Sequence, residues 1–342
     1  MANLKLPRPA CHPPRRVLYP VAMTIQWFPG HMNTTRQQLA ELMPATDVVV
    51  ELLDARLPHA SANPLLDELR RGVPGRGPDG RPGDVPCVTL LTKNDLADPK
   101  VTAAWREEFH HRRGVPTLAV DLTDPKSVKN LPKLIRRLAP RRTAKNLPVR
   151  VSIVGIPNVG KSTLVNTLRG KTVARTGDEP AVTKGPQEIR LGRDLVLTDT
   201  PGILWPKFDD PAVGLTLAIS GAIKDTAVDY DTLGPPAAAY LLTHYRDRLT
   251  QRYKLTEDQL PPMLPAGESN PSGTETAGSM LPPDAAQNLL ESIGRKRGCL
   301  LPGNAVDLTR AAELLLRELR RGQLGRVSLE RPDDRPAPAA AE

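Results

Sequence analysis

Gly155-Ile156-Pro157-Asn158-Val159-Gly160-Lys161-Ser162 lies between an apolar run, residues 149–154, and a helix-like stretch, residues 162–168. It fits the pattern Gly-x4-Gly-Lys-Ser of a phosphate-binding loop, and it stands at the strand-to-helix junction that such a loop needs. Its glycines let the backbone wrap phosphate oxygens with N–H groups, while the helix N-terminus adds a favourable dipole. On this reading Asn158, Val159, Gly160, Lys161, Ser162 and Thr163 are phosphate-binding candidates. Lys161 reaches the β/γ-phosphates and Ser162 ligates Mg²⁺. A glycine-containing turn without a ligand is the plain alternative, and the flanking strand and helix weigh against it.

Two further segments complete a nucleotide site. Asp199-Thr-Pro-Gly202 follows the apolar run 195–198. A carboxylate at that strand end can hold Mg²⁺ through water, and the Gly202 N–H can meet a γ-phosphate and sense its loss. Alone the segment is a turn; downstream of a phosphate loop it reads as a switch. Thr92-Lys93-Asn94-Asp95 ends the strand-like run 86–91. The Asp95 carboxylate can accept both guanine N1–H and N2–H, which adenine does not offer, and the Lys93 stem can cover the ring. Guanine-reading segments are usually Asn-Lys-x-Asp, and Thr92 replaces the first residue with a single hydroxyl. Its tie to guanine or to the phosphate loop is therefore expected to be altered.

The base-reading segment precedes the phosphate loop, whereas an ordinary GTPase has the reverse order. The same pocket built from a rotated chain implies an α/β fold, a circularly permuted P-loop GTPase domain. With Ile25-Gln-Trp-Phe-Pro-Gly-His-Met32 and Asp54-Ala-Arg-Leu-Pro-His-Ala-Ser-Ala-Asn-Pro64 added, the ordered set of motifs resembles the YlqF/RbgA family of ribosome-biogenesis GTPases. The likeness runs from about Met23 to Arg331 and includes Asp307-Leu-Thr-Arg-Ala-Ala-Glu313 and Arg320-Arg-Gly-Gln-Leu-Gly325. It implies a GTPase that binds GTP and GDP, engages a late precursor of the large ribosomal subunit (rRNA and ribosomal proteins), and leaves after hydrolysis.

The resemblance also assigns residues. Asp121-Leu122, after the strand-like run 116–120, stands where the family places its second base-contacting loop, usually with a small polar residue. A backbone N–H contact to guanine O6 survives that change. Thr183 ends a segment similar to the family's Pro-Gly-x-Thr, with Ala181 in place of Gly, and is the candidate to complete the Mg²⁺ shell; Thr176 is its rival. Many GTPases orient the attacking water with a Gln after Asp-x-x-Gly, but here Ile203 occupies that position. The resemblance points to His31, whose neutral imidazole can orient water or accept its proton. A structural His, or one on an RNA phosphate, is the alternative. Asn158 can help hold K⁺ against the phosphates in place of an arginine finger, as in K⁺-stimulated GTPases that this chain resembles locally, or it simply stabilises the turn. Without an assisting Gln, turnover is expected to be slow until the ribosomal particle orders the site and K⁺ is present.

Composition bounds the rest. The 342 residues suit one or two domains with a real core. A net charge of +9 favours polyanions, and aromatics at 3% favour backbone-directed binding over base stacking. Cys11, Cys87 and Cys299 show neither metal spacing nor pairing, so a reduced cytoplasmic location is expected. No apolar stretch reaches membrane-spanning length. A monomer is expected.

Domain organisation reads as follows. Residues 1–22 form an extension, disordered or a mis-assigned start; they are basic and acid-free like a transit segment, but the prolines oppose an amphipathic helix. Residues 23–206 form the GTPase domain and 207–331 an α-helical, RNA-contacting domain with a disordered insertion at 261–283; 332–342 is a disordered tail. Within the first domain a helix from Thr34-Thr35 to Leu42, the strand 47–53 and a helix after Asn63-Pro64 are expected, then a flexible Gly/Pro-rich loop, 72–83, carrying Arg76 and Arg81. A single basic helix, 131–142, links the permuted halves. In the second domain helical patterns cover 214–219, 237–246 and 308–320; Leu308, Ala311, Ala312, Leu315 and Leu319 recur on one face. Arg295, Lys296, Arg297, Arg310, Arg317, Arg320 and Arg321 are candidates for a basic surface toward rRNA. The competing function classes are a nucleotide-gated RNA scaffold with little hydrolysis and a GTPase of tRNA modification or membrane ion transport; no added domain or span supports the latter.

Overall fold

Val48–Asp54, apolar at most positions and buried throughout, forms strand β1 at the middle of a sheet covered on both faces. A computed structural model describes residues 37, 39–75, 81–170, 187–200, 202, 210–223, 229–263 and 281–334. His31, Thr176, Thr183, Ile203 and residues 1–22 lie outside them, as do Arg76, residues 264–280 of the expected insertion and 335–342 of the expected tail.

β1 pairs in parallel with β2 (Cys87–Thr92) on one side and β4 (Val149–Gly155) on the other. β3 (Thr117–Ala119) extends the sheet beyond β2, and β6 (Leu195–Asp199) lies parallel to β4. β5 (Gln187–Leu191) closes the far edge antiparallel to β6, so the order is β3-β2-β1-β4-β6-β5. Counted from β4, the phosphate-loop strand, this becomes 6-5-4-1-3-2, a doubly wound sheet whose chain has been cut ahead of its fourth strand.

Helices follow the strands. α1 (Pro58–Ser61) and α2 (Pro64–Leu69) come after β1; the Asn63 side chain accepts from Leu65 N, which caps α2. α3 (Pro99–Arg113) starts at an Asp98 cap with Pro99 in its first turn and stops at left-handed Gly114. Its Trp105 and Phe109 pack with Leu53 and Leu91 on one face of the sheet. Between β3 and β4 the single helix expected over 131–142 is two, α4 (Leu131–Leu138) and α5 (Pro140–Ala144). The break is Ala139, at φ −120° and ψ 59°, because a residue before proline is driven out of the helical region. α6 (Lys161–Arg169) follows the phosphate loop.

The loop expected at 72–83 is pinned at its base: Val73 and Gly83 exchange backbone hydrogen bonds of 2.9 and 3.0 Å, and Val73 is buried. Residues 39–42 are helical.

The helical part comprises α7 (Pro211–Ser220), α8 (Tyr230–His244), α9 (Arg246–Tyr253), α10 (Ala285–Arg297) and α11 (Leu308–Arg320). The run expected at 237–246 is broken at Tyr245, φ −140°, whose hydroxyl donates to Asp98 and accepts from Ser328 N. One apolar cluster runs without interruption from Val50 and Leu52 of the sheet through Leu217 to Leu289 and Leu315. No helix among the described residues is long and apolar enough to cross a membrane. The described cysteines, Cys87 and Cys299, are free and buried; burial pushes the Cys87 thiol up to about 12, which leaves it inert.

Candidate nucleotide site

Every nucleotide-site motif singled out above and lying among the described residues falls at the carboxyl end of a parallel strand, the edge at which doubly wound sheets bind ligands. Asp54 ends β1, Thr92 ends β2, Gly155 ends β4 and Asp199 ends β6, while Asp121 follows β3.

The phosphate loop turns through two left-handed residues, Asn158 at φ 57° and Gly160 at φ 104°. A side chain is excluded at Gly155, where a Cβ would stand 2.6 Å from the Leu52 carbonyl oxygen, and at Gly160, where it would meet Leu122 at 2.8 Å. Lys161 Nζ donates to the carbonyls of Gly155 (3.1 Å) and Ile156 (2.9 Å), folded along its own loop. Burial pushes this ammonium down to about 8, against the attraction of Asp199. Ser162 Oγ donates to Asp199 Oδ2 at 3.0 Å, which brings a hydroxyl and a fully buried carboxylate together. Two hard oxygen donors at that separation suit Mg²⁺. Thr200 Oγ1 donates to Ile153 O at 2.6 Å and fixes the following turn on β4. Gly202 comes so near the loop that a Cβ would lie 2.6 Å from Pro157 Cα.

The base-reading segment is joined to this loop. Thr92, fully buried, directs its one hydroxyl proton at Val159 O (2.7 Å) and Leu53 O (3.1 Å). The tie that Thr92 makes is thus to the phosphate loop. Lys93 is left-handed, φ 54°, and its ammonium sits 3.0 Å from Asp54 Oδ2. Asp54 in turn accepts from both Arg56 Nε (3.0 Å) and Nη2 (2.7 Å). Burial acts to raise the Asp54 carboxyl, but Arg56 and Lys93 outweigh it and hold it well below the usual carboxylate range. Asp95 is exposed; partial burial and the charge of Asp121 push its carboxyl up, opposed by Arg56 and Arg326.

In the second base loop the Asp121 carboxylate accepts from Thr123 N and Oγ1, at 2.8 and 2.6 Å, and Asp121 N–H donates to Ser127 Oγ at 2.8 Å. The Asp121 side chain is therefore turned into its own loop. Leu122 is buried against Gly160, and its carbonyl accepts from Thr167 of α6 at 2.9 Å. His31 and Thr183 lie outside the described residues.

This geometry has relatives. A family model described as "50S ribosome-binding GTPase" matches residues 150–232. A curated relative named Ribosome biogenesis GTPase A, from Priestia megaterium, is 40% identical over 324 residues, covering 92% of this chain and 100% of its own. The protein of that name from Thermotoga maritima is 29% identical over 311 residues, covering 91% and 95%. This chain belongs to the ribosome biogenesis GTPase A family. Among solved structures, GNP-bound YlqF from T. maritima is similar at a TM-score of 0.51 and 26% identity, covering 88% of this chain and 99% of that one.

Sequence reasoning on this family member missed the residues that hold the base end. A carboxy-terminal arm, residues 322–331, lies along the base-reading loop: Arg326 donates to Asn94 O (2.6 Å) and Ala97 O (2.7 Å), and Val327 N to Leu96 O (2.8 Å). Gly322 approaches so closely that a Cβ there would meet Leu96 at 2.6 Å. The arm continues to Leu329 N, which donates to Arg56 O at 2.6 Å, and Glu330, whose carboxylate accepts from His59 N and Ala60 N of α1, both at 2.9 Å. Arg320, expected on a basic surface, instead turns inward: Nε and Nη2 donate to Ile219 O (3.0 Å) and Ala218 O (2.9 Å), at the last carbonyls of α7. Gly221, just past that helix end, accepts from Asn158 Nδ2 of the phosphate loop at 3.3 Å. Arg297, though exposed, stacks over Tyr253 and shares the Glu318 carboxylate with Arg252; Arg295, Lys296, Arg310, Arg317 and Arg321 are exposed as well, Arg317 paired with Glu313.

Proposed function

We propose that this protein hydrolyses GTP to GDP and phosphate as an assembly factor, binding a late precursor of the large ribosomal subunit and leaving after hydrolysis. The observation that carries the reading is the 2.7 Å bond from Thr92 to Val159 O, by which a base-reading loop and a phosphate loop in permuted order close on one another. The family names and the net charge of +9 supply the ribosomal partner.

Asp95 accepts from the guanine edge, Lys93 lies along the ring, and a backbone N–H of the Asp121-Leu122 loop meets the base carbonyl. Asp121 N–H is committed to Ser127, so that of Leu122 is the candidate. Asn158 to Thr163 cradle the phosphates. Lys161 exchanges its two loop carbonyls for phosphate oxygens. Ser162 and, through water, Asp199 hold Mg²⁺, with Thr183 completing the shell; bound there, the metal offsets charge on the transferred phosphoryl group. Gly202 N–H reports the γ-phosphate. His31 orients the attacking water, and Asn158 adds a ligand to K⁺. The particle supplies the order that raises turnover, and the protein works as a cytoplasmic monomer.

The test is GTP and ATP turnover with and without purified large subunits, in K⁺ and in Na⁺, for the wild type and His31→Ala. The expected result is GTP-selective hydrolysis stimulated by subunits and K⁺ and lowered by His31→Ala. No stimulation in either salt would favour a nucleotide-gated scaffold; stimulation that survives His31→Ala would keep the function and remove His31 from the chemistry.

A further inference from the structure

The segment that joins the two permuted halves concentrates the charge of the molecule. Between Pro125 and Arg150 stand nine lysines and arginines and no aspartate or glutamate, a count equal to the +9 of the whole chain. Within the fold Arg136 pairs with Asp194, and Arg142 and Arg150 share Asp47. Lys126, Lys129, Lys133, Arg137, Arg141 and Lys145 are exposed.

Their placement is regular. α4 buries Leu131 and Ile135, and Ala139 follows them at the same four-residue step. Lys129, Lys133, Arg137, Arg141 and Lys145 repeat at that step on exposed positions. Neighbours four apart on a helix stand about 6 Å from one another, as Lys133 and Arg137 do on α4. Lys129 lies just ahead of that helix, Arg141 on α5 beyond the Ala139 break and Lys145 at the end of α5, so the two helices and their ends carry a ridge of like charge with no acid of their own to neutralise it. Such a ridge costs self-repulsion in the isolated protein, and a polyanion reverses that cost. No Phe, Tyr or Trp occurs between 125 and 150, so the surface has no platform for stacked bases and can read only the charge and spacing of a phosphate backbone.

We propose that the α4–α5 ridge is an RNA-backbone docking surface on the GTPase domain, separate from the exposed arginines of α10 and α11. The proposal deepens the assembly-factor reading and rests on it for the choice of RNA as the polyanion. It places RNA contact on the same short connection that begins after the Asp121-Leu122 loop and ends at the strand feeding the phosphate loop.

The experiment compares the wild type, the neutralised Lys129→Gln/Lys133→Gln/Arg137→Gln variant and the charge-keeping Lys129→Arg/Lys133→Arg/Arg137→Lys variant. Binding to purified large subunits and to deproteinised rRNA is followed against KCl concentration, with subunit-free GTP turnover as the check that the fold is intact. Each lost phosphate contact lowers the slope of log K against log salt by about 0.7 to 0.9. The neutralised variant is expected to bind roughly tenfold or more weakly near 150 mM salt, with a slope shallower by about 2 to 3, while the charge-keeping variant matches the wild type. Equal slopes for all three, with tight wild-type binding, overturn the ridge and leave the assembly reading intact. A wild type that binds neither subunits nor rRNA overturns both. Loss of binding to anionic lipid vesicles, with rRNA binding unchanged, assigns the ridge to a membrane and overturns the proposal.

Discussion

The two ends of the nucleotide pocket are built on different terms. The base end, Thr92 to Asp98, is gripped from the carboxy-terminal arm through Arg326, Val327 and Ser328 and from below by the Asp54–Arg56 pair. The phosphate end touches the helical part through Asn158 on Gly221, and its lysine and serine are satisfied by local partners, Gly155, Ile156 and Asp199. GTP and GDP share a base and differ by a phosphate. Under the proposed assignment the base end is the state-independent handle by which the helical part holds either nucleotide, and the phosphate end is where the two states diverge. Damage to the first should weaken both nucleotides alike; damage to the second should separate them.

The harshest way to break the base end is Arg56→Ala. It leaves Asp54, 2% exposed, with Lys93 as its remaining ion-pair partner. Removing one member of a buried pair costs about 3–5 kcal/mol, and it leaves Lys93 alone to hold the carboxylate under the base-reading loop. Chemical denaturation should show that drop, with GTP and GDP affinities falling together. An unchanged denaturation midpoint would show that Arg56 carries no such weight.

Gly202→Ala probes the opposite end. The added Cβ would stand 2.6 Å from Pro157 Cα and 2.7 Å from its nitrogen, both backbone atoms, so one chain must retreat. Overpacking of this kind costs about 1–3 kcal/mol. The expected outcome is a GTP affinity roughly tenfold or more below wild type with GDP affinity nearly kept, read by titration with each nucleotide. Equal losses would erase the asymmetry drawn here.

Much of the phosphate end was legible because its physics is local. A strand, a glycine turn and a helix start leave a contiguous pattern, and the Leu308–Arg320 helix was legible for the same reason, its apolar face repeating at helical spacing. The base end was half-legible. Thr92 to Asp95 could be read, but Arg326 lies more than two hundred residues further on and pairs through backbone carbonyls, which no side-chain pattern announces. The α3 helix escaped for another reason: Val101, Trp105 and Phe109 make a narrow apolar line among charged neighbours, and only the Asp98-Pro99 start and the Gly114 stop mark it. Arg320 was misread because an arginine on a helix looks solvated until a second helix end is brought beneath it.

Arg326→Ala sharpens the comparison at smaller cost. It deletes the donors to Asn94 O and Ala97 O while leaving Val327 N on Leu96 O. Charge-assisted hydrogen bonds contribute about 1.5–3 kcal/mol each at most, and water can replace part of that at a half-buried site. A fall of roughly tenfold for GTP and GDP equally is expected, from the same titrations. A loss confined to GTP would mean that the arm serves the phosphate end after all.

The last effect is a pH dependence, absent at neutral pH, and its sign follows from Lys161. In the structure burial holds the ammonium down to about 8, against an ordinary value of 10.5. Phosphate oxygens favour the charged form, so the bound state should carry a higher pKa than the free one. Below about pH 8 Lys161 is charged in both states, and binding is insensitive to it. Above pH 8 the free protein has lost the proton that the complex keeps; binding must take one up, and affinity should fall by as much as tenfold per pH unit until the pKa of the complex is reached. At the base end burial also holds the Lys93 ammonium below its ordinary value, against the attraction of Asp54, so a Lys161 variant is what separates the two lysines. Calorimetric titration of GDP between pH 7 and 9.5 in buffers of different ionisation heat would show proton uptake rising through pH 8 in the wild type and absent in Lys161→Met. Uptake that persists in that variant would move the titrating group away from the phosphate loop.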